Sequence, residues 1–154
     1  MNELTSSQDI TETIDRFEAA LIEYPAVDCP VTHRFTPGLY IRQTIVPAGT
    51  LFTSAEHKTE HPFVLTEGEL EIISENEGAV IYQAPFHGIT KPGTRRMLRA
   101  ITDVVWTTYH VTQHTDLDKI AEEILAPNCN PFLENHLAQW RISNNQIKEI
   151  QCPG

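Results

Sequence analysis

The chain has 154 residues, a length that suits one domain with a sizeable core. Its formal charge of -10 opposes broad contact with the phosphates of extended nucleic acid, though not with a small anion in a locally basic pocket. No apolar run approaches the ~18 residues of a membrane helix, and the opening MNELTSSQDITET lacks the basic and apolar regions of a secretory signal, so a soluble, cytoplasmic protein is expected.

Residues 8–24, QDITETIDRFEAALIEY, predict an amphipathic helix. Ile10, Ile14, Phe17 and Leu21 recur at helical spacing, leaving Glu12, Asp15, Arg16 and Glu23 for solvent, and Pro25 and Pro30 close the segment. Such a helix covers one face or end of a β-core, or makes a dimer contact. Residues 38–112 are rich in β-branched and aromatic side chains. Strands are expected at 39–46, 63–65, 70–73, 80–83, 95–101 and 104–111, separated by turns such as Pro47-Ala48-Gly49, Glu67-Gly68 and Lys91-Pro92-Gly93. Many short strands at regular spacing argue for an all-β sandwich or small barrel rather than βαβ units. Residues 113–154 differ. A short helix over 116–125 starts from Thr115 or Asp116 as N-cap, with Leu117, Ile120 and Ile124 on its apolar face. A tail follows, in which Trp140 and Ile142 are expected to dock. Cys29, Cys129 and Cys152 are scattered and form no CxxC pair, so neither a disulfide framework nor a thiolate zinc site is indicated.

The stretch GTLFTSAEHKTEHPFVLTEG, from Gly49 to Gly68, concentrates the chemistry. It places His57 and His61 four residues apart, and even spacing puts two side chains on one face of an extended chain. Imidazole is both a common metal ligand and a proton carrier. HKTEH also fits a helical H-x3-H pattern, but Pro62 disfavours the α conformation at His61. Two histidines alone do not make a metal site. Glu60, His87 or His110 are the candidates to complete one, with His110 or Glu60 favoured, although strict alternation turns Glu60 away from His57. In RRMLRAI, alternation puts Arg96, Leu98 and Ala100 on one face. A buried guanidinium there needs an acceptor. An internal carboxylate (Glu60, Glu69, Glu71 or Asp103) and an anionic ligand held bidentately remain equal alternatives. Tyr40 and Arg42 share one strand face, and Trp106, Thr108 and His110 another; with Tyr82 they could wall a planar, charged molecule. His87 falls in a loop.

These residues resemble the two motifs of the cupin superfamily. The first is G-x5-H-x-H-x3,4-E-x6-G. Gly49, His57 and Gly68 match it, while Ala55 stands at the first histidine position and His61 at the glutamate. The second motif is approximated by KPGTRRMLRA: Gly93 fits the glycine and Pro92 sits one place late. Arg96 stands at the final histidine and Ala100 at the asparagine. The resemblance covers residues 40–111. It implies a cupin double-stranded β-helix, or jelly-roll barrel, of residues 38–112 within one domain spanning 1–154, with altered metal ligands and with Arg96 pointing inward. It also implies a homodimer. The chain is further similar to small cupin-like proteins encoded by bacteriophages.

Two function classes follow. One is a binding protein that holds an anionic metabolite or nucleotide-like ligand with Arg96, His57, His61, Tyr40, Arg42 and Trp106, and which in a phage would sequester a host signal. The other is a metal-dependent dioxygenase or isomerase, with a divalent metal (Fe, Mn, Ni or Zn) on His57 and His61 and a third ligand from His110 or Glu60. The substitutions at Ala55 and Arg96 favour the first.

Overall fold

The computed structural model describes residues 7–75, 77–127 and 130–133. Helix α1 (Ser7–Leu21) is followed by nine strands: β1 (Val31–Thr36), β2 (Leu39–Val46), β3 (Leu51–Thr53), β4 (His61–Glu67), β5 (Glu69–Ser74), β6 (Gly78–Gln83), β7 (Phe86–Thr90), β8 (Arg96–Ala100) and β9 (Val104–Val111). Helix α2 (Leu117–Ile124) and a 3-10 turn (Pro131–Leu133) complete the described elements. The strands form two antiparallel sheets. One runs β1-β2-β9-β4-β7 and the other β3-β8-β5-β6. This is the expected all-β jelly-roll arrangement, with helices placed against it.

Alternation builds the core between the sheets. Val46, Phe63, Leu65, Leu70, Ile72, Leu98, Ala100 and Val104 each point inward and are buried. Phe63 stacks on Trp106 with ring centroids 4.5 Å apart, and Tyr82 stacks on Phe86 at 4.2 Å, so aromatic rings fill one part of the interior. A second, smaller cluster joins Tyr40 on β2 to Ile120 and Ile124 of α2. Asp116 caps α2 by accepting from the backbone N–H groups of Asp118 and Lys119.

The closing glycine of the first motif has a steric reason. Gly68 sits at φ +92°, and a Cβ there would lie 2.1 Å from the Asp103 carbonyl oxygen. The register of β4 against β9 shifts between Leu65 and Glu67, a bulge immediately before this turn.

The structure corrects several expectations. α1 ends at Leu21 rather than residue 24, consistent with Pro25 disfavouring helix at Tyr24. Asp15 is buried, not solvated, because it meets Arg95, just before β8. Three strands lay outside the expected set: β1, β3 and β7. The segment of His87 is thus strand, not loop, with His87 exposed on its outer face. Trp140 and Ile142 lie outside the described residues. No described helix is long and apolar enough to cross a membrane.

Candidate metal and anion site

His61 opens β4, where the following proline keeps its backbone extended. His57 does not share that strand. It forms an isolated bridge with Leu125, and the chain bends at Lys58 and Thr59 before β4 begins. The two rings meet because of the bend, not because of alternation along one strand. Several backbone bonds hold this loop. Lys58 N–H donates to Ile124 O at 2.7 Å, Ala126 N–H to Glu56 O at 2.9 Å, and Gly93 N–H to His57 O at 2.9 Å. The end of α2 and the turn before β8 therefore clasp His57 from two sides.

His110 joins them from β9. One nitrogen from each of His57, His61 and His110 lies within 4.8 Å of the others. Ring centroids are 4.3 Å apart for His57 and His61, 4.5 Å for His61 and His110, and 5.3 Å for His57 and His110. All three are sheltered from solvent, His61 and His110 fully. Burial lowers the His57 pKa to about 3, helped by the neighbouring His61; burial and then His61 and His57 lower that of His110 to about 2. His61 is lowered as well, first by burial and also by Arg96. All three imidazoles are neutral at pH 7, the form that coordinates metals.

Their hydrogen bonds fix which nitrogen is free. His57 Nδ1 lies 3.1 Å from the Ala55 carbonyl and His61 Nδ1 3.4 Å from the Thr59 carbonyl. A carbonyl only accepts, so each Nδ1 carries the proton and each Nε2 keeps its lone pair. His110 Nε2 is bonded to Thr108 Oγ1 at 2.9 Å, while its buried Nδ1 has no partner among the described residues. With His110 Nε2–H donating to the Thr108 hydroxyl, Nδ1 offers a lone pair, and this is the tautomer that a metal cation would select. Bonds of ~2.1 Å in tetrahedral geometry need nitrogens ~3.4 Å apart, a contraction within reach of ring rotation. The residues fit a metal.

Arg96 points into the barrel, as the motif registration implies, and is 7% exposed. Its Nη1 donates to Thr90 Oγ1 at 3.1 Å, its guanidinium lies over the Phe63 ring at 5.7 Å, and its Nε has no partner among the described residues. None of the four proposed internal partners reaches it. Glu60 pairs with Lys91 at 2.6 Å, Glu71 pairs with Arg99 at 3.2 Å, and Asp103 accepts from Ala48 N–H. Glu69 forms no ion pair with it among the described residues. Burial lowers the Arg96 pKa, and Tyr82 and then Glu77, which accepts a short hydrogen bond from the Tyr82 hydroxyl, act in the opposite direction.

The other candidates divide. Glu60 is exposed and engaged by Lys91, so it is not a ligand to this cluster; no bulge intervenes to turn it inward. Tyr40 stacks on His110 at 5.7 Å, but its hydroxyl meets His33 Nδ1 at 2.7 Å, away from the imidazoles. Trp106 uses a ring face against Phe63, which removes that surface as a platform for a planar ligand. Arg42 is half-buried and bonds Thr44 Oγ1 at 3.0 Å. Thr90 was missed, because its strand was not recognised. It stands directly across from His61 in the β4–β7 register.

No protein-family model matches the chain, and no curated protein matches it in sequence. Among solved structures, it is similar to ectoine synthase from P. lautus, at 18% identity and a TM-score of 0.51, over 64% of this chain and 77% of that one. A cupin superfamily protein from Desulfitobacterium hafniense DCB-2 is similar at 9% identity and a TM-score of 0.47, over 60% of this chain and 85% of that one. An RmlC-like cupin family protein with a double-stranded beta-helix fold from Methanocaldococcus jannaschii gives 11% and 0.47, over 56% and 82%. At such identities the likeness is one of fold.

Proposed function

From the cupin double-stranded β-helix fold of this chain, we propose a protein that binds a small anionic metabolite beside a three-histidine metal centre. His57, His61 and His110 would hold the metal, and Arg96 would take the anionic group. The observation that supports this best is a pair of unmet polar atoms: buried His110 Nδ1 and buried Arg96 Nε, neither with a hydrogen-bond partner among the described residues. Three neutral imidazoles leave the charge of a divalent cation uncompensated, and Arg96 adds a further positive charge with no carboxylate in ion-pair contact among the described residues. A small anion relieves both. An all-nitrogen set suits zinc, iron, copper or nickel better than manganese, which prefers oxygen. The stacked aromatic core favours a compact ligand over a nucleotide.

A metal-dependent enzyme is the second reading. The observation behind it is that, among the described residues, three candidate protein ligands converge, which is the ligand count of catalytic zinc sites. When bound, such a metal polarises a ligand oxygen or lowers the pKa of a bound water. The chain's own part is to orient the anion through Arg96 and to exclude water with Phe63 and Tyr40. A protein that only binds would sequester its ligand; one that acts on it would be an oxygenase or isomerase.

The test is elemental analysis of protein purified without a chelating tag, followed by calorimetry with small carboxylates. One equivalent of metal is expected in the native protein and at most a tenth of that in His110→Ala. Arg96→Gln should keep the metal and lose at least tenfold in carboxylate affinity. Metal binding unaffected by His110→Ala, or carboxylate binding unaffected by Arg96→Gln, would overturn the proposal.

A further inference from the structure

Arg42 lies in LYIRQTIV between Tyr40 and Thr44, both buried, so all three share the inner face of β2. Its cross-strand neighbour is Thr108, whose hydroxyl is bonded to His110 Nε2. Arg96 sits on the opposite sheet. It is bonded to Thr90, the cross-strand neighbour of His61. Through Thr108 the register places Arg42 one step from His110, and through Thr90 it places Arg96 one step from His61. Electrostatics agree with this placement. Arg42 acts on His110 and Arg96 on His61, and both act on His57. Neither arginine forms an ion pair among the described residues, whereas Arg16, Arg95 and Arg99 each meet a carboxylate. The hydroxyls of Thr44 and Thr90 position the two forks without neutralising them.

We infer that the ligand carries two separate anionic groups, one for each arginine, and belongs to the class of small dicarboxylates. This rests on the function proposed above and narrows it. A monoanion would satisfy Arg96 and leave the second fork facing the metal's charge. A short dianion satisfies both, because each guanidinium matches one carboxylate bidentately. Phe63 and Trp106, stacked beneath Arg96, limit the depth of the site and so the size of the molecule.

The experiment is calorimetry on the zinc-loaded protein with α,ω-dicarboxylates from malonate to adipate, each against the monocarboxylate of equal chain length. At least one dicarboxylate should bind tenfold or more tightly than its monocarboxylate. Arg42→Gln should erase that advantage, so that on this variant each dicarboxylate binds within about twofold of its monocarboxylate. Arg42→Lys should restore only part of it, since lysine keeps the charge but not the fork. Zinc content, read on every variant, shows that the barrel and its imidazoles are intact. Monocarboxylate binding that depends on Arg96, with no dicarboxylate advantage at any length, would overturn this inference and leave the proposed function standing. An advantage that survives Arg42→Gln would overturn it equally. Failure of every carboxylate to bind would remove both.

Discussion

At His57 and His110 the folded chain refuses protons that the unfolded chain accepts. Unfolded imidazoles titrate at ~6.5, while burial holds these two at about 3 and about 2, with His61 lowered as well. The unfolded state therefore binds more protons at every pH between those values. Stability is fully present above ~6.5 and is lost as pH falls below it. Each such group contributes a slope of up to ~1.4 kcal/mol per pH unit. For metal-free protein in chelator, urea unfolding at pH 7.5, 6 and 5 should show stability falling by at least ~1 kcal/mol per unit below pH 6.5, and His110→Gln should flatten the fall. A flat profile in the native protein would mean that the imidazoles are already protonated or hydrated. The sequence shows two of the three histidines at once, in HKTEH. His110 was one of several candidates to join them, because its neighbour in space depends on strand register, which a single sequence does not determine. Glu60, close in sequence, is far in function for the same reason: proximity along a bent loop says little about direction.

Among the elements, α1 is fastened by charge as much as by its apolar stripe. Arg95 reaches from the turn before β8 to Asp15 at 2.7 Å and Glu18 at 2.5 Å, and all three side chains are at most 16% exposed. Burial works against the Arg95 charge, but Glu18 and Asp15 outweigh it and raise its pKa. Asn130 adds a hydrogen bond to the Asp15 carbonyl at 2.8 Å, tying the segment after α2 to the same point. Removing the shared cation leaves two buried carboxylates without it. Arg95→Ala should cost ~3–5 kcal/mol in chemical denaturation, and Arg95→Met in an Asp15→Asn, Glu18→Gln background should cost much less. Equal losses in the two variants would show that packing, not charge, seats the helix. This contact was not legible beforehand, since Asp15 falls on the polar side of the helical wheel. Strands β2 and β9 were readable to the residue, because each is an eight-residue run rich in β-branched and aromatic side chains. β1 was not, as most of it is exposed on both faces and shows no period. β3 has three residues, too few to show one. FHGIT in β7 hid behind its glycine, which is there for packing: a Cβ on Gly88 would lie 2.8 Å from the Phe63 ring.

The whole molecule sets a negative chain around a positive interior. Its formal charge is -10, yet the barrel gathers Arg42, Arg96 and three metal-competent imidazoles where the sheets meet α2. The glycine turns and strand spacing made this container readable, while its contents depended on side-chain direction. One feature of the container governs how it moves. The loop of His57 has no strand of its own and is held through Lys58, Glu56 and the Leu125 bridge by the end of α2. A cation gripping His57 therefore grips α2 at second hand, and loosening the helix loosens a ligand. The two events share one local opening reaction, so occupancy must lower the frequency of that opening by mass action. In deuterium exchange, the amides of Lys58, Leu125 and Ala126 should slow together on zinc addition, by a common factor that grows with free zinc, while amides of β5 and β6 hold their rates. Independent factors at the loop and the helix would mean that they open separately. A common factor would make α2 the latch of the metal site, and its fraying the rate at which metal leaves.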